Sequence, residues 1–388
     1  MKKVLLATSA LMATAGFATA QGVSVSGTAS IGVLGGGWIV DTSENHAGAG
    51  RNNASCTVGG TGPETKGING CPIPGQSEFE LHTDIDVTFT MSGQTDAGLT
   101  FGASIDLDES DGDGDRGESN AFGGRKQGGE EIFISGAFGT LTAGDTDGAF
   151  DWALQEIGIG GSVGDAHTSH AGYNGNDFAD GVGDGQIARY DYSFGDFGVA
   201  LSANVSDEAA HDDVLAVGAK YNVSLDAMEL GLGVGYSQLG NDSAKDDAAL
   251  GVSLDANFNN GFRAILNWVD LGDMAGDDDT DDDAEQYMGL GLGYTLDDWT
   301  FAINYGQYTE DEPGTEDDPG QSGYAVVVNY DLGGGAQVQF GYSKSICEMN
   351  PQNTGDTDTV PDPVYAGANC DTGTGENSAL SLGVAMSF

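Results

Sequence analysis

The most constraining feature of this sequence is an alternation of apolar and polar residues that recurs along most of its length. In residues 79–91 the odd positions include Phe79 and Ile85, whereas the even positions include Asp84 and Asp86. Such period-two alternation is typical of β-strands whose two faces meet different surroundings. No segment after the N-terminal twenty residues approaches the roughly 20 consecutive apolar residues that a membrane-spanning helix needs. The chain is therefore predicted to be all-β.

Short turns and long polar connections alternate between these segments. Gly195-Asp196 is typical of a tight hairpin turn, whereas residues 37–76 and 147–185 are long connections. Counting from residue 23 onward gives about sixteen strands, and an even number of antiparallel strands is typical of bacterial outer-membrane barrels. A closed barrel also pairs every backbone group inside lipid. We therefore predict a transmembrane antiparallel β-barrel of about 16 strands.

A soluble β-sandwich and a repeat solenoid are the competing folds. A sandwich with this many strands would be unusually large for one domain, and a solenoid would have connections of equal length. The last segment of the chain also favours the barrel, because its apolar positions alternate with small and polar residues up to a terminal aromatic residue. These positions are Leu380, Leu382, Val384, Met386 and Phe388.

The first twenty residues have the pattern of a secretory signal peptide. Lys2 and Lys3 precede an apolar and small stretch at residues 4–17, and an A-x-A cleavage motif occupies residues 18–20. Cleavage after this motif would leave residues 21–388 as a single β-barrel domain. We therefore expect an exported protein.

The charge of the chain is strongly negative, with 12 basic against 61 acidic residues and a formal net charge of −49. Such a protein is not expected to bind nucleic acid or anionic lipid headgroups without bridging cations, and it should attract cations. The same acidity is equally consistent with a surface kept hydrated in a saline habitat.

Four cysteines occur in two segments rich in glycine, asparagine and proline. They are Cys56, Cys71, Cys347 and Cys370. In an exported chain, an even count suggests two disulfides that staple two loops, although four cysteines allow three pairings. A zinc site is the weaker alternative, because the spacings do not match a short C-x-x-C motif.

Four short segments resemble a known family. They are the opening strand Val23-Ser-Val-Ser-Gly-Thr-Ala-Ser-Ile-Gly32, the segment Phe138-Gly-Thr-Leu-Thr-Ala-Gly-Asp145, the segment Ala188-Arg-Tyr-Asp191 and the terminal Phe388. Together, in their order and spacing, they resemble the trimeric general porins of Gram-negative outer membranes, particularly those of the Rhodobacter type.

The resemblance implies a sixteen-stranded homotrimeric barrel in the outer membrane, in contact with lipid and lipopolysaccharide, whose long third loop folds into the lumen. It also implies passive diffusion of ions and small hydrophilic solutes without a catalysed reaction. This sequence departs from the family pattern in two ways: basic residues on the wall are few, and the loops that carry the cysteines are long. They bear on pore size and charge selectivity.

The third long loop, residues 147–185, is predicted to form the constriction of this lumen. Asp147 is expected to cap a short helix whose apolar stripe, Phe150, Ala153, Leu154 and Ile157, would pack on the wall. The predicted constriction residues are Asp147, Asp151, Gln155, Glu156 and Asp165. The alternative is a solvated helix on an outer loop.

The alternation also predicts which charged residues of the wall face the lumen. The basic set is Arg189, Lys220 and Arg263, and the acidic set is Glu80, Asp84, Asp86, Asp106, Asp191, Glu229 and Asp255. An excess of acids raises the local concentration of cations, and the Debye length of about 8–10 Å is comparable to a narrow lumen. The sequence therefore predicts a preference for cations.

No cofactor is required for diffusion, but calcium is a possible ligand of the acidic loops. Asp145, Asp147 and Asp165 are the candidate ligands, since Ca²⁺ prefers carboxylate oxygens. A structural or adhesive surface barrel, whose acidic loops are bridged by divalent cations, is accordingly the alternative function.

The signal peptide gives the first testable expectation. Mass spectrometry of the protein from the membrane fraction should identify Gln21 as the mature N-terminus, because the A-x-A motif ends at Ala20. A tryptic peptide that retains the Ala20–Gln21 bond would contradict this prediction.

Overall fold

A computed structural model describes most of the barrel. The described residues are 22–36, 78–108, 129–177, 180, 186–205, 213–238, 248–272, 284–311, 318–347 and 375–388. The predicted signal peptide and the residues Cys56, Cys71 and Cys370 lie outside them. Cys347 lies at the end of a strand, but its side chain is also outside the described part. The two disulfides therefore stay predictions.

Sixteen strands make up the described secondary structure, together with one short helix and one 3₁₀ turn. The strands are β1 (Gly22–Gly36), β2 (Glu78–Gln94), β3 (Thr100–Asp108), β4 (Glu131–Gly136), β5 (Gly139–Gly144), β6 (Gln186–Phe194), β7 (Phe197–Val205), β8 (Val214–Ser224), β9 (Met228–Gln238), β10 (Ala248–Phe258), β11 (Phe262–Gly272), β12 (Ala284–Leu296), β13 (Trp299–Asp311), β14 (Asp318–Gly333), β15 (Ala336–Cys347) and β16 (Gly375–Ser387). The helix α1 (Ala149–Ala153) and the 3₁₀ turn (Val163–Asp165) both lie in the third loop. Within the described ranges, no helix is long and apolar enough to cross a membrane.

The strands form one closed antiparallel barrel in which each strand pairs with its neighbours in sequence. The barrel closes where β1 pairs with β16, for example Ile31 with Val384 and Val33 with Leu382. The predicted transmembrane-type barrel of sixteen strands is confirmed.

The two faces of the sheet differ as the alternation predicted, with large apolar side chains outside and small or polar ones inside. On β7, Leu201 is 57% exposed on the outer face, whereas its neighbour Ala200 is 3% exposed on the inner face. Aromatic pairs such as Phe197 with Tyr221 lie on this outer face near the short turns, with ring centroids 4.4 Å apart. An exposed apolar band with aromatic residues at its edge is typical of a surface that contacts lipid.

The third loop lies inside the barrel and is held by short polar side chains of the inner wall. Its backbone N–H groups donate to Ser202, Ser253, Asn329 and Ser345. The bonds run from Ala149 N to Ser202 Oγ (2.8 Å), from Gln155 N to Ser253 Oγ (2.9 Å), from Gly161 N to Asn329 Oδ1 (3.0 Å) and from Ala171 N to Ser345 Oγ (3.0 Å). Strands from β7 to β15 therefore supply partners that the irregular backbone of the loop cannot find within itself.

The apolar stripe of the loop packs on the wall, but the predicted N-cap is wrong. The residue before helix α1 is Gly148 and not Asp147, and no side chain caps the helix. The Gly148 N–H instead donates a hydrogen bond to Asp180 Oδ2 at 2.6 Å. The helix ends at Ala153, so the buried Ile157 is reached by non-helical backbone. Contacts with the wall, and not the helical period, determine which side chains are buried.

The inner wall behind the loop is more apolar than the alternation suggested. Val269, Leu271, Tyr287 and Tyr308 are buried inward residues that pack in one cluster with Phe150 of the loop. A second cluster joins Ile157 and Ile159 to Ile265, Ala302 and Val327. These residues can face inward because the loop covers them.

Inward-facing glycines allow the loop backbone to approach the strands closely. A methyl group at Gly306 would overlap the carbonyl of Gly172, and one at Gly291 would overlap the carbonyl of Ile157. Glycine inside a strand often marks such a close backbone approach. Part of the high glycine content of the chain is therefore explained by the contact between loop and wall.

The Gly306→Ala substitution should loosen the third loop without opening the barrel. The added methyl group overlaps Gly172, and overpacking of this kind costs about 1–3 kcal/mol. We expect faster chymotrypsin cleavage within the loop, with unchanged β-sheet circular dichroism.

Gly231→Ala is the matched control, because a methyl group there meets mainly the end of the Asn222 side chain. Equal cleavage of both variants and the original protein would show that the close approach at Gly306 does not hold the loop.

Candidate functional site

The first half of the third loop gathers several acids on the inside of the barrel. The neighbouring carboxyl groups that affect Asp151 are those of Asp147, Glu156, Asp177 and Asp180. Burial, and then the repulsion of these neighbours, raises the pKa of Asp151 to about 9. Asp151 is therefore protonated and uncharged at neutral pH.

The pKa of Asp180 is set by two opposing effects. Burial raises its pKa to about 7, although the N–H of Gly148 donates to its carboxylate and opposes the rise. This carboxyl group therefore titrates near neutral pH while it fixes the start of helix α1.

Glu156 lies in the middle of the loop and is bonded to Tyr173. The Tyr173 hydroxyl donates to Glu156 Oε2 at 2.5 Å. Burial raises the pKa of Glu156, and the bond from Tyr173 acts in the opposite direction. Next to it, Gln155 lies along β10 and β11, where its carbonyl accepts a bond from Asn267 Nδ2 at 3.0 Å.

Two of the three predicted wall bases contact the start of the loop. Arg189 donates to the carbonyl oxygen of Asp147, and its Nε lies 3.8 Å from Asp191 Oδ1. Lys220 donates to the carbonyl of Trp152 at 3.1 Å, and its Nζ lies 3.5 Å from the centre of the Trp152 ring. These bases hold the loop against β6 and β8.

The third base, Arg263, forms an ion pair within the wall. Its Nε and Nη2 donate to the two carboxylate oxygens of Asp255 at 3.0 and 2.8 Å. This bidentate pair joins β10 to β11 and compensates both charges.

The remaining wall acids lie mainly on β2 and β3. Thr28 donates to Asp86 at 2.7 Å, and Thr88 donates to Asp106 at 3.1 Å. Glu229 is exposed near the short turn between β8 and β9. Glu80 lies on β2, but its side chain is outside the described part of the chain.

The far end of the loop approaches the acidic face of β2. Asp165 lies near Asp84 and His82, and partial removal from water, followed by the charge of Asp84, raises its pKa. Acids of the loop and acids of the wall therefore face each other here.

The three acids predicted as calcium ligands are not brought together. Asp145 Oδ2 accepts a bond from Gly129 N at 3.0 Å at the beginning of the loop, whereas Asp165 lies beside β2. Among the described residues, no group of three His, Cys, Asp or Glu side chains could hold a metal ion. Calcium binding by these three residues is therefore not supported by their placement.

The sequence indicated only ordinary loop polarity for His167 and His170, and it indicated no role for Tyr173, Asp177 or Asp180; both histidines are instead buried. His170 Nε2 lies 2.7 Å from Asn304 Oδ1, and Asn304 Nδ2 donates to the His167 carbonyl at 3.1 Å. Burial lowers the pKa of both histidines to about 4, so they are neutral at pH 7. The glycine-rich segment around them has no periodicity, so no sequence pattern indicated that they anchor the loop to β13.

Solved structures with similar folds include a porin refined at 1.8 Å resolution, with 20% identity, a TM-score of 0.57, and coverage of 95% of this chain and 100% of the other. A triple mutant of the porin from Rhodopseudomonas blastica has 17% identity and a TM-score of 0.53, with coverage of 94% and 100%. These similarities show a common barrel fold.

Sequence comparisons give the family. A porin of Rhodobacter capsulatus is 34% identical over 169 residues, which are 39% of this chain and 48% of that protein, so the match spans about half of the relative's length. The family model for Gram-negative porins matches residues 7–345. Because this match covers most of the sequence, the chain belongs to the Gram-negative porin family.

Proposed function

We propose that this protein forms a water-filled channel in the outer membrane, through which ions and small hydrophilic solutes diffuse passively. The observation that carries the proposal is the position of the third loop, which packs along the inner wall and lies among partly exposed charged groups. Diffusion through such a lumen needs no catalytic residue and no cofactor. Membership of the porin family supports the same function.

The lining of the lumen supports a preference for cations. Arg263 is paired with Asp255 and Arg189 lies 3.8 Å from Asp191, whereas Lys220 bonds a neutral carbonyl and keeps its charge. Three bases are fewer than the seven acids predicted to face the lumen from the wall. The acids of β2 and β3 lie in the same lumen as Glu156 and Asp165. Fixed negative charges within about a Debye length of 8–10 Å concentrate cations and repel anions.

Assembly and location belong to the same proposal. The outward apolar band fits a surface in contact with outer-membrane lipid and lipopolysaccharide, and part of it would be covered in a homotrimer of the kind that the family resemblance implies. Export through the predicted signal peptide would bring the protein to this membrane.

Channel activity can be tested in a planar lipid bilayer with the folded protein. We expect stepwise openings, and under a salt gradient a reversal potential whose sign indicates cation flow, because acids dominate the lumen. The contrasting hypothesis is an adhesive barrel with loops bridged by divalent cations. It predicts no conductance from folded protein and adhesion that chelation of divalent cations abolishes.

The Asp151→Asn variant tests how burial affects selectivity. Because the pKa of Asp151 is raised to about 9, the side chain is neutral at pH 7 and gains a negative charge only as the pH rises through 9. We expect equal reversal potentials for the variant and the original protein at pH 7. At pH 10 the original protein should show the stronger cation preference.

The reversal potential of the Asp106→Asn variant is the comparison, because this variant removes an acid of the wall, on β3, and not an acid of the loop. A clear loss of cation preference in Asp151→Asn at pH 7 would mean that Asp151 is ionised there, against this prediction.

A further inference from the structure

The second half of the third loop is attached to the wall through His170. Its ring is only 2% exposed, and its Nε2 lies 2.7 Å from Oδ1 of Asn304 on β13. The amide nitrogen of Asn304 also donates to the carbonyl oxygen of His167 at 3.1 Å. One inward side chain of the wall therefore binds the loop at two points. We call residues 166–176, which surround these bonds, the docked segment.

The other nitrogen of the His170 ring, Nδ1, is buried and has no hydrogen-bond partner among the described residues. Gly323 of β14 lies against it, since a methyl group there would be 2.5 Å from Nδ1. A neutral imidazole is compatible with this site, because it has one nitrogen that carries no hydrogen. In the protonated ring both nitrogens are donors, so a buried N–H would have no acceptor. Both neutral tautomers give the same protonated ring, so the burial of this N–H does not depend on the tautomer.

No carboxyl group is among the described neighbours that act on the pKa of His170. Removal from water lowers this pKa to about 4, while the bond to Asn304 opposes the change and the charge of His167 adds to it. The titratable side chains of the elements packed around the ring are His167, Tyr173 and Glu156 of the loop, Tyr287 of β12, Tyr308 of β13 and Lys344 of β15. Glu156 is bonded by the Tyr173 hydroxyl. Lys344 follows the inward Ser343 and so lies on the outer face.

The docked segment can leave its position only toward the lumen. Gly172 lies directly against Gly306 of β13, where even a methyl group would overlap the Gly172 carbonyl. Ala171 N donates to Ser345 Oγ on β15 at 3.0 Å, so the wall fills the space behind the backbone. Loss of the bonds at His170 would therefore move the segment into the lumen.

We propose that His170 is an acid-sensitive latch, whose protonation releases the docked segment from β13 and β14. Release narrows the lumen, a consequence that rests on the proposed channel function. The direction of the effect follows from the two pKa values of the ring, about 4 in the docked state and about 6.5 after release. The released ring binds a proton more tightly, so docking is fully favoured above about pH 6.5 and is weakened as the pH falls toward 4.

Hydrogen–deuterium exchange of the docked segment in the folded protein, at pH 7 and pH 5, tests the latch, because backbone exchange reports local opening. The His170→Gln variant is measured at the same pH values, so that the pH dependence of exchange itself cancels. Glutamine can donate to Asn304 Oδ1 but does not titrate. We expect the opening equilibrium of the original protein, relative to that of the variant, to rise by roughly 20-fold between pH 7 and pH 5, as the two pKa values require.

His82→Gln is the matched control, because it removes a histidine of the wall on β2 and should keep the full rise. An equal change in the original protein and in His170→Gln would overturn the latch. If His170→Gln is already open at pH 7, exchange of the ring C–H hydrogen of His170 in the original protein decides the question. A titration midpoint well below pH 6.5 supports the latch, and a midpoint near 6.5 overturns it.

These measurements do not require conduction, so the latch and the channel can fail separately. A conducting protein whose docked segment stays closed at pH 5 contradicts the latch alone. Release by acid in a folded protein that does not conduct contradicts the channel alone.

Discussion

The interior of this barrel depends on hydrogen bonds between the backbone of the third loop and the inner wall. An irregular segment enclosed by a barrel must find partners for its N–H and C=O groups, and here Ser202, Ser253, Asn329 and Ser345 supply them. Inward glycines such as Gly291 and Gly306 bring the strands close enough for these contacts. The path of the loop, and with it the shape of the lumen, follows from this pairing.

The same contact changes the chemistry of the acids that the loop carries. Removal of Asp151 from water, and then the repulsion of four other carboxyl groups, raises its pKa to about 9 and removes its charge at neutral pH. Counting acids in the sequence therefore overestimates the negative charge of the constriction. The wall acids on β2 and β3 therefore carry more of the proposed selectivity.

The few bases have structural roles that a simple charge count does not suggest. Arg189 and Lys220 bind backbone carbonyls at the start of the loop, and Lys220 also lies over the Trp152 ring. Arg263 is paired with Asp255. Arg189 and Lys220 keep their positive charge in these bonds to neutral carbonyls, so they act as charged anchors of the loop.

The sequence by itself determined the barrel, because the period-two alternation, the short turns and the lack of a long apolar run leave a closed sheet as the arrangement that pairs every backbone group in lipid. It also indicated which face of each strand points inward, since neighbouring residues on a strand point to opposite sides. Only the tertiary structure decided the helix bounds at Ala149 and Ala153, the anchoring by His170 and Asn304, and the neutral state of Asp151. These depend on contacts between residues far apart in the chain, such as His170 and Asn304, and on burial behind the loop, which no local pattern encodes.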